Sequence, residues 1–365
     1  MLGSVLALLF VRLPLWTVLS LVPSGRPLPS WTLGRSLILR VFQAYVGILY
    51  NTSVETPVRP QPDASNASKS CLVWVEPTPD LILGDIRDFV DANNVKPESV
   101  PGYWNGSRAS DGPMGSASPS DPGCRTAFAG FSEHFRHNPR IFSLEYRLAG
   151  AEPFKAQNPF PATLLDAVAG YRYLVQDIGF QPQDILLSGD SAGGHLAFTL
   201  ARYLATYELP GLLNAGGLLL LSPTVDWANT HNGPDSSMVR HSRTDFVGPI
   251  FTTGYTERAL RGALPADTTA ISAWISPGSL RAQVTPGMFA RLPRACIVAG
   301  GAEMTLDAMV TLKERMEADM GTEAVQFMEV PNCTHDFLTM GWHEPERTST
   351  LEEVAKWVGT IWSSA

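Results

Sequence analysis

The segment Gly189-Asp190-Ser191-Ala192-Gly193 places a serine between two glycines, after a short apolar run and before a helical pattern. Residues 185–187 form the apolar run and predict a buried strand, and the apolar spacing over residues 196–204 predicts a packed helix. A strand that turns sharply into a helix at a serine holds the hydroxyl outward, where it can attack a carbonyl carbon. We expect the glycines at positions 189 and 193 to relieve clashes on both sides of the turn. The pattern predicts that Ser191 is a catalytic nucleophile.

Short apolar runs alternate with helical patterns from about residue 141 to the end of the chain. The strand candidates are Ile141–Leu144, residues 185–187, Gly217–Leu221, residues 295–298 and Val325–Val330. This alternation predicts the α/β class, with a mainly parallel sheet and helices on both faces. Residues 226–294 interrupt the rhythm with a long stretch rich in aromatic residues, which predicts a cap insertion over a site.

Composition narrows the class of protein. The chain has 365 residues, of which 44% are hydrophobic and 17% are charged, as expected for a globular protein. The net charge of −8, without a cluster of lysines and arginines, argues against nucleic acid as a partner. The four cysteines are Cys71, Cys124, Cys296 and Cys333, and their spacing indicates neither a zinc site nor a disulfide framework.

The N-terminus differs from the rest of the chain. Residues 2–22 are apolar apart from Arg12 and a few small residues, close to the roughly 20 residues that cross a bilayer. Arg12 and Pro14 lie near the middle of this segment and argue against a membrane-spanning helix. The basic start and the small-residue cleavage site of a signal peptide are missing. We expect residues 1–24 to be a membrane anchor or a signal segment, or else a helix packed on the catalytic domain. Residues 25–70 are expected to form an N-terminal cap or an interfacial segment.

These features favour a membrane-associated protein, in the endoplasmic reticulum or the secretory pathway, with a cytoplasmic location as the alternative. The sequence predicts no oligomeric state.

Several motifs together resemble one known family. They are GDSAGGHLA at residues 189–197, Glu145-Tyr146-Arg147-Leu148, and Pro159-Phe160-Pro161-Ala162 with Asp166. They resemble the hormone-sensitive-lipase-like group of α/β-hydrolases, and its fungal members in particular, from about residue 140 to the C-terminus. The resemblance implies an α/β-hydrolase domain over residues 71–365 with a helical cap. It also implies a serine esterase or lipase that uses no metal and no cofactor.

A serine nucleophile needs an imidazole to take its proton, and in this family the acid and then the histidine follow the serine along the chain. His335 follows the apolar run Val325–Val330, and His335-Asp336-Phe337 resembles the histidine loop of the family. We therefore predict His335 as the general base. His343 is a weaker candidate in the same loop. His195 lies one helical turn after Ser191, where its ring cannot readily reach the hydroxyl, so a packing or hydrogen-bonding role is expected.

The acid that orients the imidazole has two candidates. Glu303 and Asp307 stand four positions apart after the apolar residues 297–299, in the place of the family's aspartate-x-x-x-aspartate pattern. Glu303 aligns with the catalytic member of that pattern, and a glutamate can orient an imidazole as an aspartate does. Asp307 is the alternative. It would otherwise be an acidic residue near a helix N-terminus, where it interacts favourably with the helix dipole.

The chain departs from the family at the oxyanion hole. Related enzymes carry a His-Gly-Gly-Gly loop whose N–H groups stabilise the developing negative charge. No such loop is found, and a strand with its His-Gly-Gly is missing between Arg108 and Pro113, through loss in the chain or an error in the gene structure. The N–H of Ala192 would remain as a donor, with Gly112 or Gly115 as substitutes.

The residues predict a serine hydrolase that cleaves carboxylic esters through Ser191, His335 and Glu303. The aromatic cap and the apolar N-terminus favour a small-molecule ester with an apolar acyl or alcohol part, a lactone or an acetyl ester. The fungal resemblance favours a metabolite as the substrate. The missing loop leaves an alternative, a catalytically impaired hydrolase-fold protein that binds a small apolar ligand. The intact set of three residues favours the enzyme.

Overall fold

Seven strands form two sheets in this computed structural model, which describes residues 3, 7–52, 72–105, 122–135 and 140–362. The strands are β1 (Leu72–Val75), β2 (Val100–Asn105), β3 (Ile141–Leu144), β4 (Leu186–Asp190), β5 (Gly217–Leu221), β6 (Ala295–Gly300) and β7 (Val325–Val330). Strands β1, β2 and β3 pair antiparallel in that order. Strands β4 to β7 form a parallel sheet in chain order.

Twelve α-helices occur in the described residues. They are α1 (Leu13–Ser20), α2 (Leu33–Thr52), α3 (Gly84–Asn93), α4 (Pro122–His134), α5 (Ala162–Arg172), α6 (Ala192–Thr206), α7 (Ser237–Arg240), α8 (Gly248–Thr252), α9 (Tyr255–Arg261), α10 (Thr268–Ile271), α11 (Leu306–Met320) and α12 (Glu346–Trp362). A π-helical turn, Leu8–Arg12, precedes α1. Helices α7 to α10 are short and lie within residues 226–294, between β5 and β6.

Helices cover both faces of the parallel sheet. On one face Leu218 and Leu220 pack with apolar side chains of α6 and α11. On the other face Leu219 and Leu221 pack with side chains of α4 and α12. Every residue of β5 and β6 is buried, as expected for parallel strands covered on both sides. The predicted α/β-hydrolase architecture is thereby confirmed.

Strands β3 and β4 belong to different sheets and do not pair with each other. No residue of β3 or β4 is fully buried, in contrast to β5 and β6. Within the described residues, β4 pairs with β5 alone, so the strand that leads into Ser191 lies at the edge of its sheet. This interruption is what the loss of one strand would produce. Residues 108–113, where we predict that loss, lie outside the described residues.

The N-terminal helix α2 packs against the segment between β5 and β6. The Phe42 ring meets Phe246 edge-on at a centroid distance of 5.6 Å, and Gln43 Nε2 donates to the carbonyl oxygens of Arg243 and Asp245 at 3.1 and 2.9 Å. Trp31 Nε1 donates to the carbonyl of Asn332 at 2.9 Å. The contacts of Phe42 and Gln43 place α2 beside the segment between β5 and β6. The bond from Trp31 joins the residues before α2 to the loop after β7.

The described part of the chain contains no helix with the length and apolar character that a bilayer span requires. The predicted division at residues 24, 70, 226 and 294 stays a prediction.

Candidate active site

The turn from β4 into α6 places Ser191 in a strained backbone conformation. Its φ is +50° and its ψ is −115°, a region that residues with a side chain rarely adopt. The Ser191 N–H donates to the carbonyl of Leu221 on the neighbouring strand at 2.9 Å, which ties the turn to β5. The strand–turn–helix geometry therefore presents the Ser191 side chain at the carboxyl edge of the parallel sheet.

The glycines of this turn differ in how closely other atoms approach them. A Cβ on Gly189 would lie 2.2 Å from the carbonyl oxygen of Gly193, a backbone clash that only glycine avoids. A Cβ on Gly193 would meet nothing closer than the Tyr146 hydroxyl at 3.8 Å, so the prediction of a clash there is wrong. The second tight position is Gly194, where a Cβ would lie 2.9 Å from Cβ of Pro223. The first turn of α6 approaches the loop after β5, and that contact demands the glycine.

Ser191, His335 and Glu303 come together in one chain of hydrogen bonds. Ser191 Oγ lies 2.8 Å from His335 Nε2, and His335 Nδ1 lies 3.0 Å from Glu303 Oε2. The side chain of His335 is 3% exposed and that of Glu303 is 0% exposed. With the proton on Nδ1 directed to the carboxylate, Nε2 can accept the serine proton, as a Ser-His-acid triad requires.

Glu303 is held by hydrogen bonds that the sequence did not reveal. Its Oε1 accepts from the Ser222 hydroxyl at 2.6 Å and from the N–H of Gly300, and its Oε2 accepts from the Thr305 hydroxyl at 3.1 Å. A buried carboxylate needs such donors, because burial without them would carry a large desolvation cost. The hydroxyl of Ser222 also accepts from the N–H of Asp336 at 3.1 Å. Ser222 therefore links the acid to the histidine loop.

Asp307, the alternative acid, lies elsewhere. It stands in the first turn of α11, where its Oδ2 accepts from the N–H of Ser237 at 2.7 Å and its Oδ1 pairs with Arg240 at 3.0 Å. Both partners belong to α7 in the cap insertion. The structure thus brings Glu303, and not Asp307, to the imidazole of His335.

The other two histidine candidates have different surroundings. His195 Nε2 lies 3.1 Å from the carbonyl of Trp274, and burial lowers its pKa to about 4. His343 Nε2 lies 2.8 Å from the Thr334 hydroxyl, and burial lowers its pKa to about 3. Both rings are therefore neutral near pH 7, and their hydrogen bonds in the described part of the chain run to neighbours other than Ser191.

The segment between β5 and β6 forms hydrogen bonds with the loop that carries Glu303. Thr244 Oγ1 donates to the carbonyl of Ala302 at 3.0 Å, and the N–H of Met304 donates to Asp245 Oδ2 at 2.7 Å. Asp245 is 2% exposed, and burial raises its pKa to about 6. Phe246 follows, with its ring centroid 6.0 Å from that of His335. No periodicity in the sequence marks these cap residues, because their partners lie nearly 60 positions away.

The oxyanion donors are defined only in part. Ala192 directly follows Ser191 at the start of α6, where helix N–H groups are not used within the helix. Gly112 and Gly115 lie outside the described residues. Thr224 Oγ1 lies 3.2 Å from Ser191 Oγ, a polar neighbour that sequence reasoning missed.

A comparison with known protein families identifies the family of this chain. A family model described as alpha/beta hydrolase fold matches residues 134–339, more than half of the chain. The chain belongs to the alpha/beta hydrolase fold family.

Curated relatives share part of this region. The chain is 28% identical over 209 residues to an esterase, LipU, of Mycobacterium tuberculosis, covering 53% of this chain and 60% of that protein. It is 31% identical over 189 residues to an acetyl-hydrolase of Streptomyces hygroscopicus, covering 52% of this chain and 55% of that protein. The chain thus spans less than two thirds of the length of these relatives.

Solved structures share the fold. A hormone-sensitive lipase from a metagenome library superimposes with a TM-score of 0.52 at 27% identity, covering 68% of this chain and 74% of that one. An esterase/lipase from an uncultured bacterium gives a TM-score of 0.56 at 21% identity, covering 88% of this chain and 98% of that one. These likenesses support the predicted hormone-sensitive-lipase-like α/β-hydrolase.

Proposed function

We propose that this chain is a carboxylic ester hydrolase with Ser191 as its nucleophile. The observation that carries the proposal is the hydrogen-bond chain from Ser191 Oγ through His335 to Glu303, at 2.8 and 3.0 Å. The names of the curated relatives, esterase and acetyl-hydrolase, support the same reaction class.

The mechanism follows from the positions of these atoms. His335 Nε2 takes the proton of Ser191 as Oγ attacks the ester carbonyl, and Glu303 stabilises the imidazolium that forms. The tetrahedral intermediate carries its negative charge near the N–H of Ala192. It collapses when the imidazolium gives its proton to the departing alkoxide, which leaves as an alcohol. Water then attacks the acyl-enzyme with the same proton transfers and releases the acid.

We infer that the natural substrate carries an apolar acyl or alcohol part, as a lactone, an acetyl ester or a longer ester would. Phe246 packs beside His335, and Phe251 and Trp227 lie in the same apolar cluster, which supports an apolar neighbour for the reacting group. A fungal metabolite as the substrate rests on the sequence resemblance to fungal members alone.

A direct assay tests the proposal. The purified chain is incubated with p-nitrophenyl acetate, butyrate and octanoate, and separately with a fluorophosphonate whose site of attachment is mapped by mass spectrometry. We expect hydrolysis and a label on the peptide that contains Ser191. The second candidate is an impaired hydrolase-fold protein that binds an apolar ligand, and the edge position of β4 favours it. A folded chain that neither turns over ester nor takes the label would decide for that candidate.

We also infer that the N-terminal helices bind a membrane surface. Apolar side chains with large exposed fractions cluster there: Leu9, Phe10, Val11, Leu15, Val18, Leu19, Leu21, Val22, Ile38, Phe42 and Tyr45. Residues 1–54 contain four arginines and no Asp or Glu, although the whole chain has a net charge of −8. An exposed apolar face in a segment without acidic residues suits the surface of an anionic bilayer. Placement in the endoplasmic reticulum or secretory pathway stays a proposal on the same grounds.

Liposome flotation checks this inference. Wild-type chain is expected to float with vesicles that contain phosphatidylserine, and the double variant Phe10→Asp, Val18→Asp is expected to bind about tenfold or more weakly, because each change removes a large apolar contact. Leu213→Asp is the matched control, since Leu213 is 74% exposed and lies away from these helices. Equal flotation of wild type and the double variant would refute membrane docking through this face.

A further inference from the structure

We propose that the Asp336 carboxylate stabilises the protonated imidazole of His335 as an ion pair, and that His335 must lose this proton before it can act as the base for Ser191. The inference rests on the proposed esterase function, which it deepens by assigning a second carboxylate to the general base.

Two oxygen atoms compete for one nitrogen. Asp336 Oδ2 lies 3.4 Å from His335 Nε2, the same nitrogen that lies 2.8 Å from Ser191 Oγ. An imidazole nitrogen offers one lone pair or one proton in the plane of its ring. A proton on Nε2, stabilised by the nearby Asp336 carboxylate, therefore occupies the position that must accept the proton of Ser191.

The Asp336 carboxyl group has little else to interact with. Its side chain is 16% exposed, and its Oδ1 is buried without a hydrogen-bond partner in the described part of the chain. A carboxylate removed from water without donors is costly, so it either takes up a proton or lies beside a cation. The protonated imidazole of His335 supplies this cation.

The backbone fixes the carboxyl group in this position. Asp336 has a φ of +54°, the left-handed region that favours glycine and tolerates Asp and Asn. Its N–H donates to Ser222 Oγ at 3.1 Å, and the same hydroxyl donates to Glu303. The histidine loop and the acid therefore share one anchor. Gly or Asn at this position would fit the backbone and remove the charge.

The neighbouring groups favour retention of the proton. Burial alone would lower the pKa of His335, but the negative charges of Asp336, Glu303 and Asp245 outweigh it and raise the pKa to about 10. Burial raises the pKa of Asp336 as well, and Asp190, Glu303 and Asp245 add to the rise while His335 opposes it. Asp336 lies in the histidine loop and Glu303 in the loop after β6. Asp245 lies in the segment between β5 and β6, and Asp190 ends β4. The pair therefore binds a proton more tightly than a free imidazole does.

The direction of the pH dependence follows. Below the pKa of His335, Nε2 carries a proton, and Ser191 has no base. As the pH rises through that pKa, the proton leaves and ester hydrolysis increases. The esterase is thus expected to work best at alkaline pH.

The test compares wild type with Asp336→Gly and Asp336→Asn across pH 5 to 10, using kcat/KM for p-nitrophenyl butyrate. We expect the acidic limb of both variants to move down by about 1–2 pH units, as removal of a nearby opposite charge does. The rate at pH 7 would then increase about tenfold or more. Asp267→Asn removes a carboxylate that is 71% exposed and pairs with Arg281, and this variant is expected to keep the wild-type limb. Circular dichroism checks that each variant folds.

An NMR titration of the His335 ring separates this proposal from the esterase proposal. A ring pKa well above 7 that falls in both Asp336 variants supports the ion pair, even in a chain that hydrolyses no ester. An active esterase whose acidic limb and ring pKa stay the same in Asp336→Gly and Asp336→Asn would overturn it.

Discussion

Ser191→Ala is expected to abolish fluorophosphonate labelling and to lower kcat for ester hydrolysis by about 10⁴–10⁶-fold. The nucleophilic oxygen is lost, and what remains of catalysis comes from binding and from the oxyanion donors alone. The variant is expected to fold, because the Oγ atom of Ser191 forms hydrogen bonds with His335 and Thr224 alone within the described residues. The measurement is kcat with p-nitrophenyl butyrate, together with labelling of wild type and variant at equal concentration.

Thr224→Ala is the matched control for this prediction. Its hydroxyl lies 3.2 Å from Ser191 Oγ, so the variant removes a neighbouring hydroxyl of the same site and leaves the nucleophile in place. It is expected to keep the fluorophosphonate label and to lose no more than about one net hydrogen bond of stabilisation at the site. Labelling that survives in Ser191→Ala would show that another residue is the nucleophile.

Local spacing made the core of the site predictable. A run of apolar residues, a serine between glycines and a helical stripe define one strand–turn–helix unit within about 20 residues. Glu303 and His335 could be proposed because the chain resembles a family in which the acid and then the histidine follow the serine along the chain. The structure brings both side chains to Ser191, as expected from that resemblance.

Contacts between distant segments could not be predicted. Ser222 reaches Glu303 from 81 residues away, and Asp245 reaches the N–H of Met304 from 59 residues away. Neither residue belongs to a periodic pattern or a motif, and their partners depend on how the cap folds over the sheet. The need for glycine at position 194 could not be predicted for the same reason, because Pro223 belongs to another loop.

Several hydrogen bonds join the segment between β5 and β6 to the loop that carries Glu303. Thr244 and Asp245 bind the backbone on both sides of Glu303, while Ser237 Oγ donates to the carbonyl of Met304 at 2.8 Å. A cap that only covered the substrate would need none of these bonds. We infer that a change in the position of the cap would also move the Glu303 carboxylate relative to His335.

Glu303→Gln is expected to lower kcat by about 10⁴-fold while the chain keeps its fold. The Gln carbonyl oxygen can still accept from Ser222 Oγ and from the N–H of Gly300, where Oε1 now accepts. The amide nitrogen then faces His335 Nδ1 as a donor, which forces the proton onto Nε2. The imidazole is left in the wrong tautomer to accept the proton of Ser191.

Asp307→Asn separates this effect from a general loss of negative charge in the same loop. Asp307 interacts with Ser237 and with Arg240, whose side chain is 48% exposed, so its ion pair contributes little to stability. The kcat of the Asp307→Asn variant is expected to stay within about tenfold of wild type, because no hydrogen bond to His335 is lost. If Asp307→Asn lost activity and Glu303→Gln kept it, Asp307 would be the acid and the hydrogen bond at 3.0 Å between Glu303 and His335 would have no part in catalysis.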